Sequence, residues 1–346
     1  MSNKPNNPLE NLNVLTKESF LVRDFFRRYG QELGLTCHSP EEFLLTEICE
    51  PTIHRPGLAM AGYTEVFTHQ RMQILGRTEW SFLNSRTSEE RTQLLLNLRA
   101  FKSPLWVMTN EVPVPQELID HCHSLRMPIF TSSLPTVDYI GAVTKILDEW
   151  FAPYSAVHAS LVDVYGIGML YVGSSNIGKS ECVLDLVERG HRLVADDMVK
   201  LVKIDDSIIG KSNHIISHHM EIRGVGIIDI KSMFGIHAVR KIKKVEMIVE
   251  LQYWNKETDY ERTGLVDKFI DIMGVQIPIV VIPVSPGKNI TVISEVVAMN
   301  ALMKVNGQDT AAEFNRKLIE IIQDRSKRGE SEINFDNRIL KNNKYE

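Results

Sequence analysis

Apolar positions along this chain alternate between strand-like runs and helical spacing. Leu12–Leu15 is strand-like, following a polar, proline-rich start over residues 1–10 that reads as a loose tail. Phe20, Val22, Phe25, Phe26 and Tyr29 then recur at helical spacing before Gly30 and Gly34, which predicts a helix with one core-facing stripe. His54-Arg-Pro-Gly57 is a turn signal, and a mixed stretch runs from it through Gly76. Thr87-Ser-Glu-Glu90 has the form of a capping box and opens a predicted helix through Ala100. Leu105–Met108 and Pro128–Phe130 read as strands, Pro115–Leu125 and Leu134–Phe151 as helices. Strands and helices alternating at this spacing predict a small α/β domain with a parallel sheet over residues 1–150. Nothing in that domain carries recognisable chemistry.

The pattern changes at Ala152-Pro-Tyr-Ser155, and a second domain is expected over residues 155–325. The β-rich runs 158–164 and 167–172 are joined by Tyr165-Gly166, which predicts a hairpin. After Gly173–Gly178, Cys182, Val183, Leu186 and Val187 recur at helical spacing until Gly190. Arg192–Ala195, Val199–Ile204, Val245–Leu251 and Ile277–Pro283 read as strands. Ile290–Ala301 either alternates or begins a short helix, and Ala311–Ile322 is amphipathic, with Phe314, Leu318 and Ile322 on one stripe. Residues 330–346 form a polar tail.

The candidate chemistry begins in the second domain, at Tyr171–Glu181, YVGSSNIGKSE. Gly173, Ser174, Ser175, Asn176, Ile177, Gly178, Lys179 and Ser180 have the spacing of a phosphate-binding P-loop, in the required order of strand, glycine loop and helix. The glycines let backbone N–H groups aim at a phosphate, and the helix adds the positive end of its dipole. Lys179 would reach the phosphates and Ser180 would ligate Mg²⁺. Two adjacent acids, Asp196 and Asp197, follow at a strand end. Such a pair can hold a cation, take a proton from a hydroxyl, or simply make a turn, and spacing does not choose between the two residues. Glu221-Ile-Arg223 with glycines beside it suits a second cation ligand and a phosphate clamp, or a surface ion pair.

Charge and composition remove other classes. A net charge of −5 with dispersed basic residues gives no footprint for nucleic acid, and Arg240–Lys244 reads as a solvated edge. The longest apolar run, Ile277–Val284, is interrupted by prolines and too short to span a bilayer, and the first residues lack a signal-like apolar segment. Four cysteines without C-x-x-C spacing argue against a disulfide framework, so a cytoplasmic protein is expected. His121-Cys-His123 and His218-His219 have no carboxylate or thiolate partners at metal-ligand spacing.

With these residues in place, the chain resembles the HPr kinase/phosphorylase family, bacterial enzymes that phosphorylate a serine of the phosphocarrier protein HPr. The resemblance runs from about Leu12 to Leu318 and rests on RPGLAMAGY (55–63), QILGRTEWSFL (73–83), HASLVDVYGIG (158–168), GHRLVADDMV (190–199), EIRGVGIIDI (221–230) and IPVSPGKNITVISEVVAMN (282–300) besides the loop. It implies a P-loop catalytic domain of the phosphoenolpyruvate-carboxykinase-like type, a homohexamer of two trimers, ATP as phosphoryl donor and Mg²⁺. Carried over by position, Lys179 matches the phosphate-binding lysine, Ser180 and Glu221 the Mg²⁺ ligands, and Asp197 the proton acceptor. His158 and Arg262 match further active-site residues. The reverse reaction the resemblance implies is phosphorolysis, in which inorganic phosphate attacks phosphoserine and pyrophosphate leaves. Two positions depart from the family pattern. Asn176 stands where the family usually has glycine, and the turn written P-V-R-P-G-R in the family is here Pro283-Val-Ser285-Pro-Gly-Lys288. With Arg223, that turn is tied to the phosphorylase direction, and fewer guanidinium groups imply retained kinase activity with weakened phosphorolysis. Two other readings are a P-loop kinase of a small molecule and a non-catalytic nucleotide-responsive switch.

Overall fold

The structure is a computed structural model and describes residues 8–9, 11–212, 218–256 and 268–327. The chain is mixed α/β and divides into two compact units.

One unit comprises residues 13–155 and 202–206. Its sheet has the spatial order Leu35–Cys37, Ile129–Ser132, Trp106–Met108, Met72–Leu75, Ile53–His54. The last four strands are parallel, as the alternation of elements predicts, and Leu35–Cys37 joins the edge antiparallel. Successive strand residues feed two separate cores. Met72, Ile74, Val107 and Phe130 pack with Phe25, Tyr139 and Leu147 on one side. Leu75, Trp106, Met108 and Ile129 pack with Leu83, Leu118 and Cys122 on the other. A sheet buried on both faces explains why its strands read as apolar runs and not as alternation. The predicted helices form over Val22–Tyr29, Ser88–Leu96, Gln116–Ser124 and Thr136–Phe151. At Thr87 the capping box closes in both directions, with Glu90 N donating to Thr87 Oγ1 and Thr87 N to Glu90 Oε2.

Three features of this unit differ from the sequence reading. Leu12–Leu15 is not a strand: Leu15 alone makes a bridge, exchanging two 2.8 Å backbone bonds with Tyr154. Arg77–Asn84, just beyond the mixed stretch that ends at Gly76, is a helix the pattern did not predict, and its first turn is held by Gly76 N donating to Glu79 Oε2. The predicted helix through Ala100 ends its regular part at Leu96.

The other unit contains residues 156–201 and those from 207 onward, with the N-terminal residues through Leu12. Its six-stranded sheet runs Arg192–Ala195, Ser160–Val164, Ile167–Gly173, Met247–Tyr253, Val275–Val284, Lys268–Ile272. Ser160–Val164 and Ile167–Gly173 form the expected hairpin, with Tyr165 and Gly166 both at positive φ, the signature of a type I′ turn. Ile167–Gly173 is antiparallel to that neighbour and parallel to Met247–Tyr253 on its other side. Alternation again sorts the side chains. Val162, Met169, Tyr171 and Val249 face the helix that follows the glycine loop, and Leu161, Leu170, Val172 and Ile248 face the opposite core.

Ile290–Val305 is a full sixteen-residue helix, capped by Asn289 Oδ1 accepting from Val292 N. Its buried positions are Thr291, Ser294, Glu295 and Ala298, while Ile290, Ile293, Val297, Ala301 and Leu302 pack partly buried against the same core. Val292, Val296, Met299 and Met303 are exposed, so apolar residues stand on every side of this helix. With no single apolar stripe to read, the sequence pattern leaves helix and alternation unresolved here. The amphipathic helix near the C-terminus spans Thr310–Lys327, with Phe314 and Leu318 exposed, while the side chain of Ile322 lies outside the described ones. The predicted tail 330–346 also lies outside the described residues.

Candidate functional site

The glycine loop connects the central strand Ile167–Gly173 to the helix Lys179–Glu188. Two glycines make the connection possible. Gly178, the residue before the helix, lies at φ 99° and ψ 25°, left-handed space that a side chain disfavours. A Cβ on Gly173 would lie 2.6 Å from the carbonyl oxygen of Leu251 on the neighbouring strand. Asn176 has φ 73°, so the position where the resemblance expects glycine is also left-handed, and asparagine is among the residues that tolerate this. Tyr253 donates from its hydroxyl to the Asn176 carbonyl at 3.3 Å, tying the loop to the adjacent strand.

Lys179 folds back over the loop, donating from Nζ to the carbonyls of Gly173 and Ser174, both at 3.2 Å. Burial pulls its pKa down, and the carboxylates of Asp196, Asp197 and Glu181 oppose that shift. The amine therefore faces an acidic wall across the loop. Ile177 points the other way, into the core beneath the helix.

The two adjacent acids have different surroundings. Asp197 sits at φ 64°, and this left-handed turn rotates it away from its neighbour. Its Oδ1 lies 2.8 Å from His158 Nδ1, and both side chains are about half exposed or more, at 64% and 48%. Asp196 is buried, with Oδ1 accepting from Ser160 Oγ at 2.5 Å. The Ser180 hydroxyl also acts to lower the Asp196 pKa, yet Asp196 Oδ2 is buried without a hydrogen-bond partner. Burial raises the Asp196 pKa, against the lowering effect of the two serines. A carboxylate oxygen without a partner at a polar cleft beside a serine hydroxyl is a place where a hard cation fits.

One open cleft gathers these groups. His158, Lys179, Asp196, Asp197, Glu221 and Arg223 line it, together with Ser175, Asn176, Gly178 and Ser180 from the loop. Glu221 comes from the short strand His219–Ile222, paired antiparallel with Gly226–Asp229, and Arg223 from the turn between them. Among the described residues no group of three or more histidine, cysteine, aspartate or glutamate side chains forms a metal cage. Ser180, Asp196 Oδ2 and Glu221 instead suit Mg²⁺, which keeps water and substrate oxygens among its ligands.

Of the residues the resemblance ties to phosphorolysis, Arg223, Pro283, Ser285 and Lys288, only Arg223 lines the cleft. Pro283 lies within the strand Val275–Val284, opposite Gln252, and Ser285 and Lys288 follow in a turn closed by Lys288 N donating to the Ser285 carbonyl at 3.2 Å. Arg262 lies outside the described residues. Asp196 and Ser160 were missed as individual site residues. Asp196 could be found in the sequence only as half of an acid pair, and Ser160 stands in a strand whose pattern reads as core.

The chain matches the family model described as HPr Serine kinase C-terminal domain over residues 149–318, and HPr Serine kinase N terminus over residues 20–147. It is 47% identical over 315 residues to the HPr kinase/phosphorylase of Chloroherpeton thalassium, covering 90% of this chain and 93% of that one. It is 44% identical over 317 residues to that of Pelodictyon phaeoclathratiforme, covering 90% and 96%. Among solved structures it matches one described as the Hpr(Ser) kinase/phosphatase from Coxiella burnetii, at 30% identity and a TM-score of 0.42, covering 46% of this chain and 98% of that one.

Proposed function

The chain belongs to the HPr kinase/phosphorylase family of bifunctional serine kinases and phosphorylases, and from that premise we propose a residue-level account of its reaction. ATP donates its γ-phosphoryl group to a serine of HPr, in a catalytic unit of the phosphoenolpyruvate-carboxykinase-like P-loop type. The observation that carries this reading is the cleft in which loop, lysine, paired acids and the Glu221–Arg223 turn converge.

The loop N–H groups and the start of the helix Lys179–Glu188 cradle the phosphates, and Lys179 leaves its carbonyl partners to meet their charge. Ser180, Asp196 and Glu221 would hold Mg²⁺. When bound, that ion neutralises charge on the phosphate oxygens. His158 orients Asp197 through the 2.8 Å contact, leaving the other carboxylate oxygen for the acceptor serine. As the serine oxygen bonds to phosphorus and the bond to ADP breaks, the serine proton passes to Asp197. Arg223 stabilises the transferring group, a role shared with Arg262. In reverse, Asp197 returns the proton to the serine as inorganic phosphate takes the phosphoryl group and leaves as pyrophosphate.

Ser285 and Lys288 supply less bidentate phosphate binding than two arginines would, so phosphorolysis is weak relative to kinase activity. We propose self-association as a homohexamer; the exposed apolar residues Val292, Val296, Met299 and Met303, with Phe314 and Leu318, support association as such. The unit containing residues 20–147 has no assigned role in the reaction. Among the described residues no helix is long and apolar enough to cross a membrane, and we place the reaction in the cytoplasm, with ATP and HPr.

The test is intact-mass analysis of HPr incubated with the chain, Mg²⁺ and ATP, followed by excess inorganic phosphate. One phosphate added to an HPr serine is expected, with slow removal in the chase. Unmodified HPr in the presence of bound nucleotide would remove the reading.

A further inference from the structure

The hairpin that brings Glu221 and Arg223 to the cleft also presents apolar side chains to solvent. Glu221 pairs directly across the two strands with Ile227. Cross-strand partners share a face of a hairpin, so Ile227 lies on the same face as the cleft-lining Glu221. Ile227 is 75% exposed, and Val225, two residues beyond Arg223 in the turn, is 73% exposed. The opposite face is already used, since Met220, Ile222 and Ile228 pack into the core. The helix Ile230–Phe234 follows the hairpin and packs against both of its strands, adding exposed Met233, and Ile236 comes just after it. An apolar lip therefore continues directly from the wall of the cleft.

The charge of the cleft limits what can lie on this lip. Glu181, Asp196, Asp197 and Glu221 contribute four carboxylates against the two fixed cations Lys179 and Arg223. A protein carrying acidic residues beside its serine would be repelled as that serine entered. A folded acceptor also cannot bring a serine to Asp197 without laying its surrounding surface on the rim.

We propose that Val225 and Ile227 form the docking surface for the acceptor protein, which presents its serine from an apolar, non-acidic face. The proposal rests on the kinase reading above and deepens it. Docking on this lip contributes to acceptor affinity and to the choice of serine, and leaves nucleotide binding to the loop.

The test is steady-state phosphorylation of HPr by the full chain and its Ile227→Ser, Val225→Ser and Ile227→Leu variants. Both positions are largely exposed, so the substitutions spare the folded core. Ile227→Ser and Val225→Ser should each raise KM for HPr about tenfold, with kcat and the KM for ATP within about twofold of wild type. Ile227→Leu should retain the wild-type KM. An unchanged KM for HPr in both serine variants overturns the proposal. So does a shifted sedimentation coefficient in Ile227→Ser, because it assigns the lip to a second copy of the chain. If the wild-type chain leaves HPr unmodified, the kinase reading fails and the docking surface with it, whereas normal wild-type turnover with insensitive variants removes the docking surface alone.

Discussion

Asp196 and Asp197 show how far a single residue step can separate two identical side chains. The left-handed turn at Asp197 leaves one carboxylate beside His158 at the surface and the other buried against Ser160. No spacing rule reveals such a division, because it depends on a backbone conformation that aspartate adopts only occasionally. The loop is legible for the opposite reason: its left-handed turn calls for glycine, and Gly178 stands where that conformation is needed. Since burial raises the Asp196 pKa, the folded chain binds that proton more tightly than the unfolded chain does. Ionisation of Asp196 therefore costs stability as pH rises through its folded pKa, and the cost is fully present above it. Asp196→Asn should raise the melting temperature of the ligand-free protein by about 2 °C at neutral pH, a gain that shrinks on acidification. The same variant should lose HPr phosphorylation on the order of 100-fold in a coupled kinase assay. Gly178→Ala forces a side chain into left-handed space, which costs about 1–2 kcal/mol and should lower the denaturant midpoint while weakening ATP binding measured by titration.

Between elements, buried polar residues of the helix Ile290–Val305 are tied to the helix that starts in the glycine loop and to the residues just after it. Glu295 accepts from Arg189 Nε at 2.9 Å and Nη2 at 2.7 Å, and lies 3.2 Å from His191 Nε2. Thr291 reaches Asp185 at 3.2 Å. Hydrogen bonds from Arg189, more than any other contact, hold the Glu295 carboxyl below its ordinary pKa. A depressed folded pKa contributes stability that is present above the unfolded value and is lost as pH falls through the folded one. Glu295→Gln should therefore lower the urea midpoint by about 0.3 M at neutral pH, and the two unfolding curves should converge in acid. This joint was not legible in the sequence, because Thr291, Ser294 and Glu295 stand among apolar residues on every side of the helix and nothing local marks them as buried. Thr87 and Glu90, by contrast, announced their helix start, since a capping box is local and needs no tertiary partner.

For the molecule as a whole, the mixed α/β class was legible wherever strands are buried on both faces, as the opposite destinations of Leu161 and Val162 show. Ser207–Ser212 and Lys268–Ile272 were not legible as strands, because each is short and mixes polar or charged residues among its apolar ones. The balance between kinase and phosphorylase directions is a property of the complete enzyme. Ser285→Arg combined with Lys288→Arg should raise phosphorolysis of phosphorylated HPr about tenfold, with the forward kcat within about twofold, in a pyrophosphate-release assay. Unchanged phosphorolysis would detach that turn from the reverse reaction. Asp196 Oδ2 is a buried carboxylate oxygen with no hydrogen-bond partner, and ligands that bind only the folded state stabilise that state by mass action. Resistance to proteolysis should then rise and fall with the nucleotide supply, so that the energy state of the cell helps set how long each copy of the chain survives.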